Sequence, residues 1–293
     1  MKDFFKYITV GEEDKDWGLY LQVSGRASIL PHTVYPSAEH PTGYYFTWEN
    51  GRVLQEFQVN YISKGSGILE NDFGKFPIKA GTIIITRPSV WHRYRPQPKT
   101  GWVENYIGFG GELASTFLDK SIFSSNQSVI QCGIQEELID TYFKIYEQIQ
   151  KEKPGFQQVT SGLIIKLLGQ VVAFNKQRNF SGKPIEKIIR QARILMRENI
   201  EKDIDLHQFA QTHHIAYSYL RKNFKKYTGI SPHQYFLDLK LMRAKELILT
   251  SEKSIKEISY ELGFESLHYF SRFFKKKLGV NPTDLRKPNA VIR

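Results

Sequence analysis

The chain has 293 residues, 41% of them hydrophobic, with a single cysteine; this excludes a disordered chain or a disulfide-stapled miniprotein and leaves room for two domains with cores of their own. The formal charge of +11 is uneven: Ile185 to Arg293 holds 21 Lys and Arg against 12 Asp and Glu, and the preceding part 20 against 18. No apolar run reaches a membrane span, the start "MKDFFKYITV" lacks a secretory core, and the lone Cys132 fits a reducing compartment, so a cytoplasmic protein is expected.

In chain order, residues up to about Asp16 are polar with a few aromatics and read as an arm. From Trp17 to Phe109 the runs "GLYLQVSG", "YYFTWENG", "FQVNYISKGSGILEN", "FPIKAGTIIITRP" and "WVENYIGF" are rich in aromatic and β-branched residues and punctuated by glycine and proline. Short strands with tight turns and no intervening helices predict an antiparallel barrel or sandwich. In "WVENYIGF" one face is Trp102, Glu104 and Tyr106, the other Val103, Asn105, Ile107 and Phe109. By hydrophobicity alone the second is the core face. His92 alone makes no metal site, since such sites take three or more ligands.

The pattern turns helical from Glu112 to Phe174. One stripe holds Leu138, Tyr142, Ile145 and Ile149; another holds Leu163, Leu167, Gln170, Val171 and Phe174. Such stripes more often pack on a core than form a dimer seam. Asn175 to Pro184, "NKQRNFSGKP", reads as a linker. Pro184 then opens a helix with Ile185, Ile188, Ile189, Ala192 and Leu195 on one face.

The last third is an internal repeat. Leu206, Phe209 and Ile215 return as Ile255, Ile258 and Phe264, and Leu220, Phe224, Gly229 and Pro232 as Phe270, Phe274, Gly279 and Pro282. The spacing grows by one residue across the second turn. Each unit reads as helix, tight turn, helix, with Asp205 and the Ser254–Glu257 box as caps, Gly229 and Gly279 as stops, and Pro232 and Pro282 as restarts. That is a tandem helix-turn-helix, whose second helices enter DNA major grooves. The basic balance of this part fits a polyanion partner. His207, His213 and His214 cluster at one turn and read as polar turn residues. The chain offers no nucleophile–base arrangement and no phosphate-binding glycine loop.

The strings "RAKELIL", "IAYSYLRKNFKKYTGISP" and "SIKEISYELGFESLHYFSRFFKKKLGVNP" resemble the AraC/XylS family of bacterial transcription regulators, with Ser259 where the family usually has alanine. The segment from Asn60 to Tyr94 resembles that family's cupin-like sensing domain, with Gly81-Thr82 in place of the usual Gly-Asp. The resemblance implies an α+β two-domain fold. A cupin-like antiparallel β-barrel with helices occupies residues 1–174, a linker 175–184, and an all-α DNA-binding domain with two helix-turn-helix units 185–293. It implies double-stranded DNA, a small-molecule effector, a second copy of the chain and RNA polymerase as partners, no membrane and no cofactor. Base-reading positions fall on Ser218, Arg221 and Lys222, then on Leu267, His268, Ser271 and Arg272. Ligand-binding positions fall on Arg52, Tyr94, Glu104 and Tyr106, which places the first face of "WVENYIGF" toward a ligand, against the hydrophobicity argument. Glu104 stands where a sugar-sensing relative has histidine and Tyr106 where it has tryptophan, so the particular sugar stays open. The expected function is a regulator, an activator by preference, controlled by a sugar-like metabolite. A ligand-independent regulator and a cupin-type enzyme fused to DNA-binding helices are the alternatives.

Overall fold

A computed structural model describes residues 3–36, 44–119, 123 and 127–287. The chain divides into two compact units, Met1–Asn179 and Phe180–Arg293. Among the described residues no helix is long and apolar enough to cross a membrane.

The first unit runs β1 (Phe4–Tyr7), α1 (Glu12–Asp16), β2 (Tyr20–Ile29), β3 (Arg52–Val53), β4 (Phe57–Asn71), β5 (Gly74–Lys79), β6 (Thr82–Thr86), β7 (Trp91–Pro96), β8 (Trp102–Gly110), α2 (Glu112–Leu118), β9 (Val129–Gln131), α3 (Glu136–Lys151) and α4 (Phe156–Arg178). The main sheet has the order β1-β2-β8-β4-β6-β9, all antiparallel. Strand β4 is 15 residues long and serves two layers. Its first half lies between β8 and β6; its second half lies between β5 and β7, and β7 carries β3. The register slips between Ile62 and Lys64, where the strand bends from one layer into the other. The expected closed barrel is therefore corrected to an open, folded-over sheet: the path ends at β1 and β9, which do not pair with each other.

The segment read as an arm also carries structure. Phe4 sits edge-on to Tyr146 at 4.6 Å, and the Lys6 amine donates to the Ile149 carbonyl at 2.7 Å, so β1 is fastened as an edge strand.

Both faces of β8 are covered, which resolves the conflict seen in its sequence. Ile107 and Phe109 join Val59, Tyr61, Ile83 and Ile85 under α3 and α4, where Leu138, Tyr142, Ile145 and Ile149 are fully buried. Trp102, on the other face, packs with Ile62, Leu69, Ile78, Ile84 and Tyr94 between the two layers. Helix α4 continues through Arg178, so Asn175 to Arg178, read as linker, are helical.

The second unit runs α5 (Pro184–Glu198), α6 (Leu206–Thr212), α7 (Tyr217–Thr228), α8 (Pro232–Thr250), α9 (Ile255–Glu261), α10 (Leu267–Leu278) and α11 (Pro282–Leu285). The predicted caps are present. Asp205 accepts from the His207 and Gln208 amides at 2.8 and 3.0 Å, and Ser254 and Glu257 cap each other's amides at 3.2 and 2.7 Å. Gly229 and Gly279 end α7 and α10 at φ of 89° and 75°. Each helix-turn-helix has its own core: Ile189, Ala192, Leu220 and Phe224 in the first, Ala244, Ile258, Phe270 and Phe274 in the second. Helix α8 joins them, with Phe236 in the first core and Leu241 to Ile248 in the second.

Two departures from the repeat bear on stability. The turn of the second unit places Gly263 at φ 67°, and its counterpart His214 is held at φ 53°. A left-handed conformation costs an L-residue about 1–2 kcal/mol, and a glycine gives back part of that in unfolded-state entropy. His214→Gly is therefore expected to stabilise the domain by about 0.5–1 kcal/mol in denaturant melts. Ser259, fully buried, has a hydroxyl with no hydrogen-bond partner among the described residues. Ser259→Ala should raise stability by about 1 kcal/mol, because it removes an unsatisfied buried group without leaving a cavity larger than an oxygen atom.

Candidate functional site

A cavity of about 510 Å³ opens on the inner face of the first unit, lined from β1, β2, β3, β4, β7 and β8 and from Tyr35 and Tyr44 in the connection between β2 and β3. Arg52, Tyr94, Glu104 and Tyr106 all line it. The pleat explains this for β8: Glu104 and Tyr106 share one face, two residues apart, while Asn105 on the other face meets the Tyr146 hydroxyl at 3.3 Å. Tyr106 lies between Gly25 on β2 and Asn60 on β4. A side chain at position 25 would put its first carbon 2.4 Å from the Tyr106 hydroxyl, so glycine there makes room for the ring.

Arg52 is fixed from three sides. Its Nε donates to His92 Nε2 at 3.2 Å, Nη1 to the Tyr44 carbonyl at 2.6 Å and Nη2 to the Tyr94 hydroxyl at 2.8 Å. The guanidinium also sits over the Phe46 ring at 4.9 Å. His92 is buried, with Nδ1 3.0 Å from the Val90 carbonyl. Nδ1 therefore donates and Nε2 accepts, the neutral tautomer. Burial, followed by the Arg52 charge, holds its pKa at about 4.

Glu104 is 3% exposed and accepts from Asn60 Nδ2 at 2.6 Å. Burial lifts its pKa to about 7, against the opposing effects of the Asn60 hydrogen bond, the Arg52 charge and a hydrogen bond from Tyr94. Asn60 also donates to the Tyr94 hydroxyl at 3.3 Å, and its side-chain oxygen has no partner among the described residues. Burial raises the Tyr106 hydroxyl pKa as well, and lifts that of Tyr94 to about 12. Phe4, Phe5, Tyr7 and Tyr44 add aromatic walls, and Arg26, paired with Asp3 at 3.1 Å, stands at the lining. The cavity thus combines aromatic faces with one fixed cation and one acid that changes charge near neutrality. That combination is chemically suited to a small polar molecule.

Asn60, His92, Tyr35 and Tyr44 were not singled out from sequence as parts of this site. The signal for Asn60 was a polar residue alternating in phase with the cavity face of an otherwise apolar strand. For Tyr35 no local pattern exists, and Tyr44 opens the run "YYFTWENG", whose expected strand is corrected to turns with a lone Thr47–Gly51 bridge.

In the second unit, Ser218, Arg221, Lys222, His268 and Arg272 are exposed, Ser271 is half-exposed, and Leu267 is half-buried against the second core. Leu220, Phe224, Phe270 and Phe274 are fully buried and turn the named positions outward. Among the described residues Arg221, Lys222 and Arg272 have no side-chain hydrogen bond or ion pair. The repeat offset pairs Arg221 with Ser271 and Lys222 with Arg272, so the two arginines are not equivalents. Lys277 pairs with Asp238 at 3.0 Å, whereas Lys275 and Lys276 are exposed. His207 packs on Tyr217 at 3.9 Å and His213 on Phe209 at 4.4 Å. Among the described residues no three His, Cys, Asp or Glu side chains gather as metal ligands.

A cavity-bearing β unit ahead of two helix-turn-helix units defines a two-domain transcription regulator. Residues 31–168 match the AraC-like ligand binding domain and residues 209–288 the helix-turn-helix domain profile. The chain is 23% identical to the MmsAB operon regulatory protein of Pseudomonas aeruginosa over 268 residues, covering 88% of this chain and 84% of that one. It is 23% identical to the lactose operon transcription activator of Staphylococcus xylosus over 251 residues, 83% and 86% of the two chains. It is also 23% identical to the arabinose operon regulatory protein of Escherichia coli over 244 residues, 80% and 81%. The chain belongs to the AraC/XylS family of transcription regulators.

Proposed function

We propose that the chain is a sequence-specific activator switched by a sugar-like metabolite held in the cavity of its first unit. The observation that carries this is the convergence of Arg52, Tyr94, Glu104 and Tyr106 on one aromatic-walled cavity of about 510 Å³. An aromatic face covers the C–H surface of a sugar while a guanidinium and a carboxyl fix its hydroxyls. Relatives named for the lactose and arabinose operons support the class of ligand. Calorimetric titration with pentoses, hexoses and short oligosaccharides, on wild type and Tyr106→Ala, tests it. A ligand should emerge whose affinity falls about tenfold or more in the variant and which changes affinity for DNA. Unchanged binding by Tyr106→Ala would move the ligand away from this face.

In this reading Arg221 and Arg272 donate to base edges, and Ser218, Lys222, His268 and Ser271 complete the two reading faces, with Leu267 near a thymine methyl. The exposed lysines at the helix ends offset phosphate charge. Arg221→Ala and Arg272→Ala are each expected to relax base preference in one groove and cost about 1–3 kcal/mol, read by binding to single-base variants of a selected site. Association of two copies uses the outer face of α4, where Val159 and Ile165 are 52% and 41% exposed. Ile145 and Leu167 are fully buried, so charges there would unfold the unit rather than split a dimer. Val159→Lys with Ile165→Lys should give a monomer by sedimentation, and RNA polymerase is the partner downstream of DNA binding.

A further inference from the structure

We infer that the cavity takes a sugar acid, a mono- or disaccharide bearing a carboxylate, rather than a neutral sugar. This rests on the reading that the cavity holds the effector and names its chemical class.

Arg52 lines the cavity and has no carboxylate partner within ion-pair distance among the described residues. Its three hydrogen bonds go to a carbonyl, a hydroxyl and a ring nitrogen, all neutral. One N–H on each terminal nitrogen is left, the pair of atoms with which a guanidinium grips a carboxylate. Arg52 is half-buried and lines the cavity, so a ligand that fills the cavity removes water from its side chain. A neutral sugar then leaves the cation uncompensated, whereas a carboxylate offsets the lost hydration.

Glu104 is the carboxyl that approaches Arg52 through Tyr94, and it does not compensate the cation when protonated. Its raised pKa puts that protonation near neutral pH. The groups facing it are Arg52 on β3, Tyr94 on β7, Tyr35 beyond β2 and Tyr106 on its own strand, with Tyr142 and Tyr146 of α3 behind the sheet. Burial raises all five tyrosine hydroxyls, so Glu104 is the group among them that titrates in this range. The other charges at the lining, Arg26 and Asp3, pair with each other. With Glu104 protonated the wall carries one net positive charge and a new O–H donor. An incoming carboxylate favours that state, so binding draws a proton onto Glu104.

The test is calorimetric titration of the full chain with galacturonate and glucuronate beside galactose and glucose, at about pH 6 and about pH 8, in buffers of different ionisation enthalpy. The acid of one pair is expected to bind at least about tenfold more tightly than its neutral counterpart. Affinity should weaken from pH 6 to pH 8, with proton uptake near pH 7. Glu104→Gln should keep the acid preference and lose both the pH dependence and the proton uptake. Arg52→Met should lose the preference; should that variant fail to fold, the wild-type comparison and Glu104→Gln still decide. Equal or tighter binding of the neutral sugar, or acid binding with no proton uptake, overturns the inference while leaving a sugar effector standing. Binding of none of the four, nor of any sugar in the wider panel, removes both.

Discussion

At about pH 8, Glu104→Gln is expected to melt roughly 6–12 °C above wild type, a gain of about 3 kcal/mol. The folded-state pKa of Glu104 is raised from its ordinary 4.5 to about 7. A group with a raised folded-state pKa contributes its full stability only below the unfolded value and loses it as pH rises through the folded value. The penalty begins above pH 4.5, grows as pH rises, and is complete above pH 7, when the buried carboxylate is ionised. Glutamine keeps an oxygen for the Asn60 bond at 2.6 Å and carries no charge. The gain should shrink toward nothing near pH 4.5. His92 acts with the opposite sign. Its pKa is lowered from 6.5 to about 4, so its share of stability is full above 6.5 and is lost as pH falls toward 4. Between 4.5 and 6.5 the two slopes cancel in wild type. Removing Glu104 should unmask the histidine, so that Glu104→Gln loses stability steadily on acidification through that window. Thermal melts of both proteins across pH check both signs. A variant no more stable than wild type at pH 8 would place a compensating charge beside Glu104.

Phe270→Ala is expected to cost about 3–5 kcal/mol and to abolish recognition by the second helix-turn-helix alone. Phe270 is fully buried, 5.0 Å from Phe264 and 5.6 Å from Phe274, in a core that Leu220 and Phe224 do not share. The first helix-turn-helix keeps its own core on α5, α6 and α7. Hydrogen exchange should therefore rise in α9 and α10 while α6 and α7 stay protected. Phe224→Ala should give the mirror result. Loss of protection in all four helices from either change would show one cooperative unit in place of two.

The helical half was legible because its signals are local. Caps, stop glycines and restart prolines act within one turn, and the repeat checked each against its partner. His214, at the φ that Gly263 adopts freely, shows the limit: the repeat placed the turn but gave no warning that its first copy is strained. The β half was legible in type and not in closure. Whether β4 bends from one layer into another depends on a register slip at Ser63, which no alternation of side chains announces. The two faces of β8 gave opposite answers from hydrophobicity and from resemblance because each assumed a single covered face. Helices α3 and α4 bury Ile107 and Phe109, and the fold-over of the sheet covers Glu104 and Tyr106. Arg52 was reached through the resemblance alone, and its supports at Tyr44 and His92 come from distant positions that only the folded register brings together.

Helix α8, 19 residues and about 28 Å long, joins the two recognition units within one unit of the fold. A helix of that length can hold α7 and α10 near one helical turn of DNA apart, roughly 34 Å. The most direct test of the account is a hydroxyl-radical footprint of the full chain on DNA selected for binding, with Arg221→Ala and Arg272→Ala beside wild type. Two successive major grooves are expected to be protected per monomer, one weakened by each variant. Protection of a single groove per monomer, or binding indifferent to sequence, would contradict it.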